Sequence, residues 1–127
     1  MIGTTARRVH PWLAGAFALG VLVQAFLAGA ALAQLGGNGD FEAHKGIGYS
    51  VMGILALAVL VAGGLARSSG LVIWGSVAVF VLYIVQTLLP TMSGSAPALA
   101  ALHPVNAILL FGLAGWLFVR GVRPNPA

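Results

Sequence analysis

Four unbroken apolar runs, residues 12–33, 46–65, 70–89 and 98–119, alternate with short polar stretches along the chain. Each run is close to the about 20 residues that an α-helix needs to cross a bilayer. Spanning β-strands would alternate over segments of about ten residues, whereas these runs are continuous and rich in Leu and Ala. The pattern predicts an all-α membrane protein: one four-helix transmembrane bundle, with spans at about 11–34, 42–66, 70–90 and 98–120.

The breaks between runs carry their own signals. Pro11 suits a first helical turn, where its missing N–H would be unpaired anyway. Gly36, Gly37, Asn38 and Gly39 end the first helix after Gln34. The second helix is expected from near Phe41 to near Arg67, and Ser68-Ser69-Gly70 then turns into the third. Pro90 and Ser93-Gly94-Ser95 form the next loop, and either Pro97 or Pro104 opens the fourth helix.

Composition sharpens this reading. Of 127 residues, 60% are hydrophobic and 6% charged, and two carboxylates with six basic side chains cannot cover a soluble domain. The pI near 10.9 does not signal nucleic acid, because the charges leave no basic face for it. Arg7, Arg8, Arg67, Arg120 and Arg123 fall at the termini and the second loop, while Asp40, Glu42 and Lys45 fall at the first. That asymmetry follows the positive-inside rule and predicts cytoplasmic N- and C-termini. Trp12, Trp74 and Trp116 each lie at the span end that this orientation assigns to the cytoplasmic interface. The absence of cysteine excludes disulfides and thiolate ligands. Arg7-Arg8 and Ala31-Leu32-Ala33 imitate a signal peptide, but the apolar stretch between them exceeds the roughly 7 to 15 residues of a signal core.

A weak repeat relates Val23-Gln24-Ala25-Phe26-Leu27-Ala28 to Val85-Gln86-Thr87-Leu88-Leu89-Pro90. Each stretch is followed across an outer loop by a histidine, His44 or His103, so a parallel repeat would place these two in equivalent positions. Both open a helix about one turn inside the outer face, and two imidazoles at one depth on diagonal helices suit the axial positions of a haem. Gly48 and Ala107, each four residues after its histidine, would leave room for a flat ring. Lys45 could pair with a propionate. The plainer alternative is that both histidines are interfacial polar residues bonded to backbone or water. Zinc or copper would need further ligands, with only Asp40 and Glu42 nearby. His10 lies roughly 30 Å away at the other membrane face, where a solvated role is expected.

Other polar residues read as support. Gln24 and Gln86 lie within spans and are expected to bond to neighbouring helices. Asn106 either holds His103 or caps the carbonyl freed by Pro104. Ala25, Gly29 and Ala33 form a small-residue stripe suited to close helix packing. Asp40 and Glu42 are expected as solvated loop carboxylates, near enough to His44 for a proton relay.

The segments Gln24-Ala25-Phe26-Leu27-Ala28-Gly29, Phe41-Glu42-Ala43-His44-Lys45-Gly46-Ile47-Gly48 and Leu102-His103-Pro104-Val105-Asn106 carry a resemblance that covers most of the chain. They resemble an uncharacterised family of small four-span bacterial membrane proteins, which implies a multi-pass protein of the bacterial inner (cytoplasmic) membrane. More distantly, the arrangement is similar to one four-helix half of haem A synthase, in which histidines at the outer ends of the second and fourth helices ligate a b-type haem. That likeness implies His44 and His103 as axial ligands. Where the synthase pattern has a glutamate three residues before its first histidine and an arginine directly after it, this chain has Phe41 and Lys45, with Glu42 one place later.

The resulting expectation is a small membrane b-type cytochrome, with haem b held by His44 and His103, and Lys45, Gly48, Asn106 and Ala107 around it. The alternative is a haem-free subunit stabilising a larger membrane complex. The expected partners are the lipid bilayer and either a larger redox complex or further copies of the chain, with no nucleic acid. No nucleophile with its base, and no paired acid and base, can be assembled for catalysis on a substrate.

Overall fold

Inside a bilayer the backbone has no water to bond with, so each long apolar run closes its own ladder of hydrogen bonds as a helix. A computed structural model, describing residues 1–66 and 69–123, has four helical segments long and apolar enough to span a membrane. The first is α1 (Ile2–Ala31), followed by a 3-10 turn at Ala33–Leu35. The second is divided into α2 (Glu42–Tyr49) and α3 (Val51–Leu65). The third is α4 (Gly70–Leu88), extended by a 3-10 turn at Leu89–Met92. A one-turn helix, α5 (Pro97–Ala100), leads into the fourth, α6 (His103–Val122). No strand occurs among the described residues, and the fold is an all-α four-helix bundle.

The bundle is square. α1 packs against α3 and α6, and α4 packs against the same two, so α1 faces α4 diagonally and the second span faces α6. Both described ends of the chain lie at one end of this square, called here the terminal end. Between that end and the middle of the bundle the core is solid: Phe17, Val59, Val79, Leu110 and Leu117 are fully buried. α1 and α6 approach closely there, and a Cβ at Gly121 would stand 2.6 Å from Pro11 Cβ. Trp12, Trp74 and Trp116 are exposed around the terminal end, with the Arg120 guanidinium 5.5 Å above the Trp116 ring.

Several expected boundaries move. α1 begins at Ile2, so Pro11 lies inside the helix instead of opening it. A proline there costs one hydrogen bond to the Arg7 carbonyl, and Arg7 is exposed, where water can supply the missing donor. α1 ends at Ala31 and not at Gln34, and the loop curls back so that Gly37 N–H and Gly39 N–H donate to the Leu32 and Ala31 carbonyls. Gly36 and Gly39 take the positive φ values of 89° and 81° that this reversal needs. Pro97 and Pro104 both open helices, α5 and α6 respectively. Arg67 and Ser68, which carry the expected end of the second helix, part of the following turn and one of the cytoplasmic charges, lie outside the described residues.

The small-residue stripe is also placed differently. Ala25 and Ala33 are exposed, so the stripe does not pack against another helix of this chain. The close approaches along α1 are made instead near the terminal end, by residues such as Ala14 and Phe17.

Candidate cofactor site

At the far end from the termini the bundle opens into a cavity of about 790 Å3, lined from all four spanning segments. Its floor includes Phe17, Met52, Tyr83 and Leu110, and its mouth reaches Pro90 and Ser93. His44 at the start of α2 and His103 at the start of α6 enter it from diagonal helices. Their ring centres are 6.1 Å apart, with the ring planes inclined at 72°. Gly48 and Ala107 also line the cavity, and Phe41 stands edge-on to His44 at 6.4 Å.

The two histidines are held by the same device. His44 Nδ1 lies 3.1 Å from the Gln24 carbonyl oxygen, and His103 Nδ1 lies 3.1 Å from the Gln86 carbonyl oxygen. Thus the residues that align in the sequence repeat make equivalent contacts. Pro90, four residues after Gln86, has no N–H to occupy that carbonyl, so His103 has it to itself.

Around His103 the hydrogens can be assigned from fixed backbone acceptors. Asn106 Nδ2 donates to the Leu82 carbonyl at 2.9 Å, which orients its carboxamide. The same nitrogen donates to Gln86 Oε1 at 2.8 Å, which turns the Gln86 Nε2 toward His103 Nε2, 3.2 Å away. Nε2 must therefore accept, and His103 is the Nδ1–H tautomer donating to the Gln86 carbonyl. Asn106 thus reaches His103 only through Gln86, and it does not cap the carbonyl freed by Pro104.

His44 is arranged otherwise. With the Gln24 carboxamide turned so that donors meet acceptors, its nitrogen donates to the His44 carbonyl at 2.9 Å and its oxygen accepts from Gly48 N–H at 2.9 Å. That nitrogen is also 2.8 Å from His44 Nδ1, 3.1 Å from which lies the Gln24 carbonyl oxygen, so Nδ1 either accepts from the Gln24 amide or, as Nδ1–H, donates to the Gln24 carbonyl. His44 Nε2 has no hydrogen-bond partner among the described residues and faces the accessible cavity.

The charged residues sit at the rim. Lys45 Nζ pairs with Glu42 Oε1 at 3.0 Å, and both side chains are exposed. Asp40 Oδ1 accepts from Glu42 N–H at 2.8 Å, an Asx-type turn that starts α2. Among the described residues no cluster of three or more His, Asp or Glu side chains forms a wider metal site.

Comparison with family models, curated proteins and solved structures found no match to this chain.

Two residues of the site carry no signal in the hydropathy pattern. Tyr83 on α4 donates to the Gly48 carbonyl at 3.1 Å, with the Tyr49 carbonyl 3.3 Å away, where the second span breaks at Ser50. Gly53 admits that hydroxyl, since a Cβ there would stand 2.8 Å from it. Pro90 is the other, and its spacing from Gln86 is the clue that could have revealed the free carbonyl.

At the terminal end, His10 corrects an expectation. It is 3% exposed instead of solvated, and its Nε2 lies 2.8 Å from Ser76 Oγ. The Ser76 hydroxyl donates to the Val72 carbonyl at 2.8 Å, so it accepts from His10 Nε2–H. This pair joins α1 to α4 and takes no part in the cavity.

Proposed function

We propose that this protein is a small membrane b-type cytochrome, binding haem between His44 and His103 and passing electrons near the outer face of a bacterial cytoplasmic membrane. The observation that carries the reading is the pair of imidazoles 6.1 Å apart across the cavity. Two metal–nitrogen bonds of about 2 Å, with the distance from each nitrogen to its ring centre added, span about 6 Å. The donor set also fits: at His103 the Nδ1–H donates to the Gln86 carbonyl, which leaves Nε2 as the ligating nitrogen and fixes the ring's orientation, and His44 would match it with its Nδ1–H donating to the Gln24 carbonyl. A cavity of this size lies within the roughly 300–1,000 Å3 usual for ligand pockets.

The chain's residues would divide the work. His44 and His103 would supply the ligating nitrogens, and Gly48 and Ala107 keep the walls beside them low. The haem, when bound, supplies one-electron redox chemistry, and burial among apolar walls tunes its potential. Lys45 is placed at the rim to meet a propionate. Its exposed pair with Glu42 is worth about 0–1 kcal/mol, so exchanging partners is cheap. The Gln86 amide has to leave His103 Nε2 for that nitrogen to ligate.

Orientation follows from charge. Arg7, Arg8, Arg120 and Arg123 surround the terminal end, and the exposed tryptophans there match an interfacial belt. These features favour cytoplasmic termini, with the histidines beneath the opposite surface.

The test is direct. Protein made with ample haem and purified in detergent should show low-spin bands in a reduced-minus-oxidised spectrum, and these bands should vanish in His44→Ala and in His103→Ala. A colourless preparation would sink the proposal.

One observation favours a second reading, a haem-free subunit of a larger membrane complex. Ala25, beside the cavity, and Ala33, in the turn after α1, are exposed small residues, and such residues let a neighbouring helix approach closely. Under that reading, a partner co-purifies with the wild type and is lost when Ala25 and Ala33 are replaced by leucine.

A further inference from the structure

The two candidate ligands differ at the one atom that matters for ligation. His44 Nε2 meets no hydrogen-bond partner among the described residues, because the Gln24 side chain is engaged at Nδ1, the His44 carbonyl and Gly48. His103 Nε2 is capped by the Gln86 amide at 3.2 Å. That amide is aimed by a chain that starts at a backbone carbonyl: Leu82 orients Asn106, and Asn106 orients Gln86. Gln86 cannot simply turn over, because its nitrogen would then face the Asn106 donor.

We infer that His103 is an exchangeable ligand and that Gln86 is the group that exchanges with iron for it, so the site accepts a small neutral ligand such as a diatomic gas on the His103 side. This rests on the haem reading given above. As a ligand His103 would give its Nε2 lone pair to the iron, and the Gln86 Nε2–H would lose its acceptor. A small ligand on that side would leave the His103 Nε2 lone pair to the Gln86 amide, the arrangement seen at 3.2 Å. No electron or proton is transferred. His44 faces no such competitor at Nε2 among the described residues and would remain a ligand.

A typical net hydrogen bond corresponds to a change of about two- to tenfold in an equilibrium constant. Removing the Gln86 donor should therefore strengthen His103 ligation by that factor and weaken carbon monoxide binding by the same factor.

The experiment titrates carbon monoxide into the reduced protein and follows the visible spectrum. The wild type should bind it, and Gln86→Leu and the near-isosteric Gln86→Met should bind it about two- to tenfold more weakly. His103→Ala should keep a high-spin haem that takes carbon monoxide without competition, whereas His44→Ala should fail to retain haem. Unchanged affinity in both Gln86 variants, or retention of haem by His44→Ala and its loss from His103→Ala, overturns the inference while leaving the cytochrome reading intact. A wild type without haem sinks both. A second arm needs no haem: 15N NMR of the histidine rings in haem-free protein should show His103 as the Nδ1–H tautomer, with its Nε2 resonance moving when Gln86 becomes methionine. A protonated Nε2 at His103 would refute the capping arrangement directly.

Discussion

His103 Nδ1 and the Gln86 carbonyl oxygen are 3.1 Å apart, and Pro90 is the reason this carbonyl is available. In a regular helix the carbonyl would already accept from the residue four positions on. At Gln24 that residue is Ala28, so the Gln24 carbonyl keeps a helical donor as well as meeting His44. Two equivalent contacts therefore differ in how much each depends on its histidine.

That difference predicts an asymmetry in stability. In haem-free protein, His103→Ala should destabilise the bundle by about 1–3 kcal/mol more than His44→Ala, because it leaves the Gln86 carbonyl without a donor. Thermal unfolding of both variants in one detergent checks this, and equal melting temperatures would contradict it.

The spans and the two histidines were legible in the sequence for one reason: polar residues are few in this chain, so those at helix ends stand out. Legibility failed where three elements meet. His10 looks like an interface residue beside Pro11, and its burial shows only in the fold, where Ser76 on α4 bonds it and Gly63 on α3 stands beside it. The break at Ser50 was hidden because glycines are ordinary in membrane helices, and the hydroxyl that answers it comes from Tyr83, far along the chain. Pro11 was misplaced because a proline preceded by polar residues reads the same at a first turn and inside a helix whose end is solvated.

The break at Ser50 gives a second prediction. Gly53→Ala should cost about 1–3 kcal/mol through overpacking against the Tyr83 hydroxyl. Tyr83→Phe removes that clash, since the next nearest ring atom is 3.4 Å from the added Cβ, but forfeits the bond to the Gly48 carbonyl. The double variant should therefore lose less than the sum of the two single losses. Strict additivity in a double-mutant cycle would show that Gly53 has no part in admitting the hydroxyl.

Topology can be read by labelling, because the chain has no cysteine of its own. With cytoplasmic termini, Asn38→Cys and Gly94→Cys should react with a membrane-impermeant maleimide in intact cells, and Thr4→Cys only after lysis. The reverse pattern would invert the bundle and put the proposed haem site at the cytoplasmic face.

The His10–Ser76 pair makes the last prediction, and it separates stability from the far cavity. A Cβ at Gly63 would stand 2.8 Å from Ser76 Cβ and press still closer on its Oγ, with His10 Nε2 at 3.4 Å. Gly63→Ala should therefore cost about 1–3 kcal/mol. Ser76→Ala should cost a similar amount for a different reason, because it leaves the His10 Nε2–H buried without an acceptor. Ser76→Gly removes both atoms that the new methyl would strike, so Gly63→Ala should become nearly neutral when combined with it. Melting temperatures of the three single variants and this pair decide the matter. Because the solid half of the bundle lies between this contact and the histidines at the far end, none of the four should shift the position of a haem band. A band shift in Gly63→Ala would mean that packing at the terminal end reaches His44 or His103.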